Sequence, residues 1–448
     1  MSADGTEGSG RSTADETPDP GQLIRSREYR RLLVVSALVG VLVSVACWVF
    51  LELIHWLQVG LYEDLPHTIG FDDAPWWWPL PILAVAGLLI AVAVTTLPGR
   101  GGHEPSEGLH TGGATAAVEL PGVVLASVAT IGLGMVLGPE APLIALGTGL
   151  AMLAMDRARR PVPEQARAVI AAAAGFAALA TIFGSPVIGA VIIIEAAGLA
   201  GPTLPVILLP GLMASGIGSL VFVGIGSLTG LSSKAYALPP LTLPAYPTPK
   251  LADFGWVVLL SFVTALVVFL VMRLAHVVRD VVARKPFVLI IAGCLLVGVV
   301  AIVFAWITDQ PADAVLFSGQ EAMSSVLEQA DSVSIGTLFL LLVCKAVAWG
   351  VSLGVARGGP TFPGIFLGLV AGTLCAHLPG FAQAPAVGAL VAAAVVAVLR
   401  LPLSAIVLAL LITRTGPGVA PLIIVAVVVA YITTLALAAR QSQVEPTV

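Results

Sequence analysis

Long apolar runs follow one another through most of this chain, among them Ile82–Leu97, Phe254–Val271, Phe287–Trp306 and the shorter Ala386–Leu399. About 20 apolar residues are what one crossing of the hydrocarbon core requires. Lipid offers the backbone no hydrogen-bond partner, so a spanning segment must be a helix or part of a closed barrel. Ten-residue alternating strands, the mark of a barrel, are not found in the sequence. Charged residues make up 10% of the chain, against about 25% in a soluble domain, and the mean hydropathy is +1.01. The expected fold class is all-α: a polytopic integral membrane protein embedded in the lipid bilayer. This patterning leaves no room for a soluble enzyme or a nucleic-acid partner.

The ends are different in kind. Residues 1–20 hold five acids and one arginine among Ser, Thr, Gly and Pro, a composition too polar to bury a core. A disordered tail is expected over 1–30, without the apolar stretch of a signal peptide. Arg25, Arg27, Arg30 and Arg31 precede the first apolar run. The positive-inside rule then places the N-terminus in the cytoplasm, with Arg157, Arg159 and Arg160 marking a second cytoplasmic loop. A transmembrane domain over 31–440 and a short tail over 441–448 complete the expected organisation. The localisation expected is a bacterial-type plasma membrane. The Trp76–Trp78 run reads as an interfacial belt. The four cysteines stand singly in apolar runs, so neither a disulfide framework nor a metal site is expected.

Many apolar segments are cut by Gly and Pro, at Gly132–Pro142, Gly184–Pro186, Gly358–Pro363 and Pro402. Such breaks at membrane depth are tolerated only where protein buries them or a watery cavity adjoins them. Here they recur in matched form. Residues 138–147 read GPEAPLIALG and residues 359–368 read GPTFPGIFLG, with six of ten positions identical at an offset of 359 − 138 = 221. A second echo pairs SPVIGAVIIIE at 185–195 with LPLSAIVLALL at 401–411, at an offset of 402 − 186 = 216. Two paired segments in the same order indicate an internal duplication, with repeat 1 over about 31–230 and repeat 2 over about 250–440. Repeats meeting near the midplane are a common transporter architecture.

Glu140 is the leading candidate for function. It follows Gly138 and Pro139 and precedes the apolar run Ala141–Ala154. That puts a carboxylate at a helix N-terminus, where free N–H groups favour an anion. Helix capping is the plain alternative, but ionisable groups within membrane segments are costly and usually functional. A carboxylate held this way can yield its place to another anion, acting as a gate and, once displaced, as a proton carrier.

These residues resemble the CLC chloride channel/transporter family. Its pattern Gly-(Lys/Arg)-Glu-Gly-Pro is met here by GLGMVLGPEAP at 132–142, with Pro139 in place of the basic residue and Ala141 in place of the glycine. GSPVIGAVIIIE at 184–195 and GGPTFPGIFLG at 358–368 are similar to two further family motifs, and Lys345 has a family counterpart. The resemblance runs from about residue 30 to 435 and is closest to a divergent bacterial branch. It implies two inverted halves with broken and partial helices, helix N-termini converging on one anion site, a homodimer and Glu140 as gate. The residues it offers for the anion are Gly101, Gly102, Gly138, Pro139, Ala141, Thr361 and Phe362. Lys345 and Arg357 would add electropositive bias, although a paired structural role for Lys345 stands beside that. No cofactor is implied.

The departures are informative. Where the family has Gly-Ser-Gly-Ile-Pro, this chain reads GRGGHEPSEG at 99–108, with Ser106 after the proline. His103, Glu104 and Glu107 suggest either a metal or, better, a solvated vestibule. Pro360 cannot offer the N–H expected at its position. The family's late pore tyrosine maps near Gly416, and Tyr431 is no match. The family's antiporters often carry two adjacent acids where this chain reads Glu195-Ala196. Passive transport of chloride is therefore slightly favoured over proton-coupled antiport, and fluoride is a further possibility. An intramembrane enzyme would need a nucleophile–base pair or metal dyad; the chain has six His and neither HExxH nor GxSxG. A cation-coupled carrier of unrelated fold would need acids in several helices, and only Glu140 and Glu195 qualify.

Overall fold

The structure, a computed structural model, describes residues 20–444 apart from 109–112, 159–160, 199, 202–203, 230–237, 239–240 and 331. Most of the expected N-terminal tail, Arg159, Arg160 and residues 445–448 lie outside the described residues.

The first half holds α1 (Arg27–Val59), α2 (Pro79–Thr96), α3 (Leu120–Ser127), α4 (Glu140–Asp156), α5 (Glu164–Phe183), α6 (Pro186–Ala196) and α7 (Leu204–Thr229). The second holds α8 (Leu251–Val282), α9 (Pro286–Thr308), α10 (Ile335–Val355), α11 (Thr361–Cys375), α12 (Gln383–Leu399), α13 (Pro402–Thr413) and α14 (Ala420–Val444). Among the described residues eight helical stretches are long and apolar enough to cross a membrane, and there is no strand. Local chemistry sets several boundaries. Proline opens α2, α6, α9 and α13, where its missing N–H costs nothing. Gly184 ends α5 in the left-handed region at φ 63°, and the Ser185 hydroxyl then accepts the Ile188 N–H to start α6.

The helices sort into an inner and an outer set. α5 is 78% buried and α10 67%, whereas α8 and α9 are each 33% buried and face outward with Leu, Val and Phe. α12 is buried along almost its whole length. A buried helix needs no polar face, which is why α12 carries no polar side chain after Gln383 and is mostly Ala and Val. The Trp76–Trp78 run splits: Trp76 is exposed, but Trp78 is buried and donates its indole N–H to Leu61 O at 2.8 Å. Trp78 therefore belongs to the core and not to an interfacial belt.

The two halves meet through equivalent residues. Gly138 N–H donates to Gly359 O at 2.8 Å and Gly359 N–H donates to Gly138 O at 2.6 Å, an isolated antiparallel bridge. A second exchange flanks it: Val136 N–H donates to Ser352 Oγ at 3.1 Å, and Arg357 N–H donates to Thr130 Oγ1 at 3.3 Å. Under the 221-residue offset, 136 + 221 = 357 and 352 − 221 = 131, one residue from Thr130. The difference falls beside the π-helical turn Val128–Gly132, which carries an extra residue. Reciprocal bonds between equivalent residues are the mark of a two-fold relation, with one segment running opposite to the other.

Candidate functional site

Glu140 is the first residue of α4 and Thr361 is the first residue of α11. The Gly138–Gly359 bridge brings these two helix starts face to face. Thr361 N–H donates to Glu140 Oε1 at 2.5 Å, so the carboxylate of one half sits on the helix N-terminus of the other. The first N–H groups of a helix lack partners within it. On α11 these belong to Thr361 and Phe362, since Pro363 has none and Gly364 N–H already bonds Pro360 O. On α4 they belong to Glu140 and Ala141, with Leu143 N–H bonded to Pro139 O.

The pocket around this pair is closed and mostly apolar. Glu140 is 0% exposed and Thr361 1%. Phe362 stacks on Phe183 with ring centroids 5.6 Å apart. The two glycines are required here, because a β-carbon on Gly359 would overlap the Glu140 carboxyl and one on Gly138 would press on both it and Phe362. Glu140 Oε2 and Thr361 Oγ1 are buried without a hydrogen-bond partner among the described residues. Buried polar atoms are normally paired. Two orphaned oxygens at the starts of two facing helices describe a site complementary to a small ion or water.

Not every residue offered for an anion joins this pocket. The Gly138 N–H is spent on the bridge, and Pro139 has none. Gly102 N–H bonds Gly99 O at 2.8 Å. Gly101 lies against Ala126, Arg357 and Val94. Lys345 is buried, and its Nζ donates to Leu316 O at 2.6 Å and Phe317 O at 3.1 Å, with the Phe366 ring centroid 4.6 Å away. It holds the 314–317 loop, as a paired structural lysine would. His103 stands 3.8 Å from Glu107, but Glu104 turns to Arg357 at 3.6 Å. Among the described residues no group of three or more His, Cys, Asp or Glu is placed to hold a metal ion.

Glu195, followed by Ala196, closes the 185–195 segment. Its carboxylate, at the end of α6, accepts Leu403 N–H at 2.9 Å and both Ser404 N–H and Ser404 Oγ at 2.7 and 2.6 Å. It caps α13 of the other half, a second case of an acid from repeat 1 on a helix start of repeat 2. The matched Pro186 and Pro402 were the available sequence signal.

Two cavities approach the pair. One of about 440 Å³ reaches Pro139 and is lined by His55, Glu63, Asp313 and Glu321. Burial raises the Asp313 carboxyl above its ordinary range, with the Ala314 backbone N–H, Lys345 and its own backbone N–H opposing. The other, of about 390 Å³, reaches Arg357. They lie at opposite ends of the helices. The first adjoins the end of α1, where Trp78 ties the start of α2; the second touches Val94 and Thr95 at the far end of α2, about 27 Å away at 1.5 Å per residue.

The profile of the voltage gated chloride channel family matches residues 82–435. The chain is 27% identical over 387 residues to YfeO of Escherichia fergusonii, named as an ion-transport protein, covering 84% of this chain and 86% of that one. Among solved structures it superposes on a slow cyanobacterial Cl⁻/H⁺ antiporter with TM-score 0.71, 19% identity and coverage of 91% and 95%. A CLC-type fluoride/proton antiporter matches with TM-score 0.68, 16% identity and coverage of 90% and 95%. A carrier of unrelated fold is thereby excluded. With its duplicated, all-helical fold and its profile match over most of its length, the chain belongs to the voltage gated chloride channel family.

Proposed function

We propose that this protein carries a small inorganic anion, chloride in the first place, across the membrane, with Glu140 as the gate. The observation that carries this reading is the seat of the Glu140 carboxylate on the N-terminus of α11, where it takes the Thr361 N–H. A carboxylate there occupies the place an anion would take. When it is protonated it loses charge, its hold on the helix start weakens, and a small anion replaces it. That anion would then meet the N–H groups of Thr361 and Phe362 and the unpaired Thr361 hydroxyl. Selectivity of this kind needs no fixed buried cation.

Passive transport is favoured over obligatory proton coupling because Glu195 is consumed in capping α13 and its neighbour is Ala196. Coupled exchange is the second reading, favoured by a buried, protonatable Glu140 and by the Cl⁻/H⁺ and fluoride/proton antiporters of like fold. On the same reading the protein works as a homodimer in a bacterial-type plasma membrane. The N-terminal arginines are cytoplasmic, and the two repeats span about 31–230 and 250–440. The 440 Å³ cavity then opens outward and the 390 Å³ cavity inward.

The test is reconstitution in liposomes with chloride efflux and external pH recorded together. Efflux without proton movement supports the passive reading, and stoichiometric proton uptake the coupled one. Absence of chloride, fluoride and nitrate flux from folded protein would reject anion transport.

A further inference from the structure

The 390 Å³ cavity, which on the proposed orientation opens inward, is lined by more positive than negative charge. Three arginines, Arg100, Arg279 and Arg357, line it against one carboxylate, Glu104. Arg357 is 7% exposed, and its guanidinium is held by Arg100 O at 3.2 Å from Nε and by Ala356 O at 3.1 Å from Nη1. Those bonds use two of its five N–H donors, and Glu104 stands 3.6 Å off, beyond ordinary hydrogen-bond reach. Arg279 donates from Nε and Nη2 to Asp280 Oδ1 at 3.3 and 3.2 Å, in an exposed pair of the kind that yields easily. Ser106 also lines the cavity; it is 2% exposed, and its Oγ has no hydrogen-bond partner among the described residues.

We propose that this cavity, built by Arg100, Arg279, Arg357 and the unpartnered Ser106 hydroxyl, binds a phosphate monoester-type dianion. The lining charge, three arginines less one glutamate, is +2. Planar guanidinium groups pair with two oxygens of an oxyanion at once, which a spherical halide cannot satisfy. A volume of about 390 Å³ is an order of magnitude above the roughly 30 Å³ that one water occupies. A monatomic ion would leave most of it to solvent. The cavity lies at the ends of α2 and α8 and the start of α9, beside Arg284 and Lys285. At that level either a free phosphate or a phosphatidate headgroup can reach it.

Full-length protein is titrated calorimetrically in detergent with inorganic phosphate at slightly alkaline pH and fixed chloride. The wild type is compared with Arg279→Gln and Ser106→Ala, and phosphatidate retained per protomer is counted by mass spectrometry. Saturable phosphate binding weakened about tenfold in Arg279→Gln, the size expected for one charged hydrogen bond, supports the site with a free ligand. Phosphatidate retained by the wild type and lost from Arg279→Gln supports it with a lipid ligand. Equal phosphate affinity and equal retained lipid in wild type and both variants overturns it, as does displacement of phosphate by an equal concentration of chloride. The readout is binding and not flux, so it stands apart from the test of anion transport.

Discussion

The Glu140 carboxylate accepts the backbone N–H of Thr361, the residue that holds its own place in the second repeat, 361 − 140 = 221 positions on. Each opens a helix, and each follows a Gly-Pro pair. The acid that one repeat keeps is thus seated on the helix start that the other repeat leaves vacant of acid.

Glu140→Gln keeps the shape of the side chain and removes its charge. A hydrogen bond to a charged group contributes about 1.5–3 kcal/mol, against about 1 for a neutral one. The amide should therefore leave Thr361 more often, raising anion flux at neutral pH about fivefold and flattening its pH dependence. Flux from liposomes between pH 5 and 8 measures both. An unchanged rate with unchanged pH dependence would remove Glu140 from the gate.

Gly359→Ala puts a β-carbon onto the Glu140 carboxyl. The pocket must expel the carboxylate or break the Gly138 bridge, at an overpacking cost of about 1–3 kcal/mol. The expected result is a lower melting temperature together with flux that no longer responds to pH. Gly255→Ala in α8 is the control, since nothing lies within 4 Å of its added carbon. It should be neutral or slightly stabilising.

Glu195→Ala removes the acceptor of the Leu403 and Ser404 N–H groups. Loss of a cap costs about 1 kcal/mol, so thermal stability should fall. The ratio of protons to anions moved should stay as in the wild type, measured by paired pH and chloride electrodes. A changed ratio would make Glu195 part of a proton route.

Asp313 lines the 440 Å³ cavity, and burial raises its pKa above the ordinary 3.8 in the folded protein. The folded state then binds this proton more tightly than the unfolded chain does. Its contribution to stability is present in full below 3.8 and is lost as pH rises through the raised folded value. Asp313→Asn should therefore flatten the fall in melting temperature that the wild type shows as pH rises above 4. Parallel melting curves for the two proteins at a series of pH values check this, and identical slopes would contradict it.

Much of this architecture is legible in the letters. The apolar runs require helices in lipid, and the paired Gly-Pro segments disclose both the duplication and the position of Glu140 at a helix start. The 13-residue gap between Lys345 and Gly358 says nothing, however, about the 314–317 loop whose carbonyls hold that lysine. Glu104 reads as a neighbour of His103 and turns instead to Arg357, 357 − 104 = 253 residues away. Trp78 reads as part of a belt with Trp76 and is drawn inward by Leu61 O.

The sequence by itself determined the solvent, the helices, the repeat and the acid on which function is proposed to turn, because hydropathy and Gly-Pro breaks act locally and need no partner. Only the tertiary structure decided which groups meet. The Gly138–Gly359 bridge, the exchange of Val136 with Ser352 and Arg357 with Thr130, and the cap of α13 by Glu195 all join segments more than 200 residues apart. A buried donor pairs with whichever acceptor the returning chain brings within about 3 Å, and that choice belongs to the packing of the two halves.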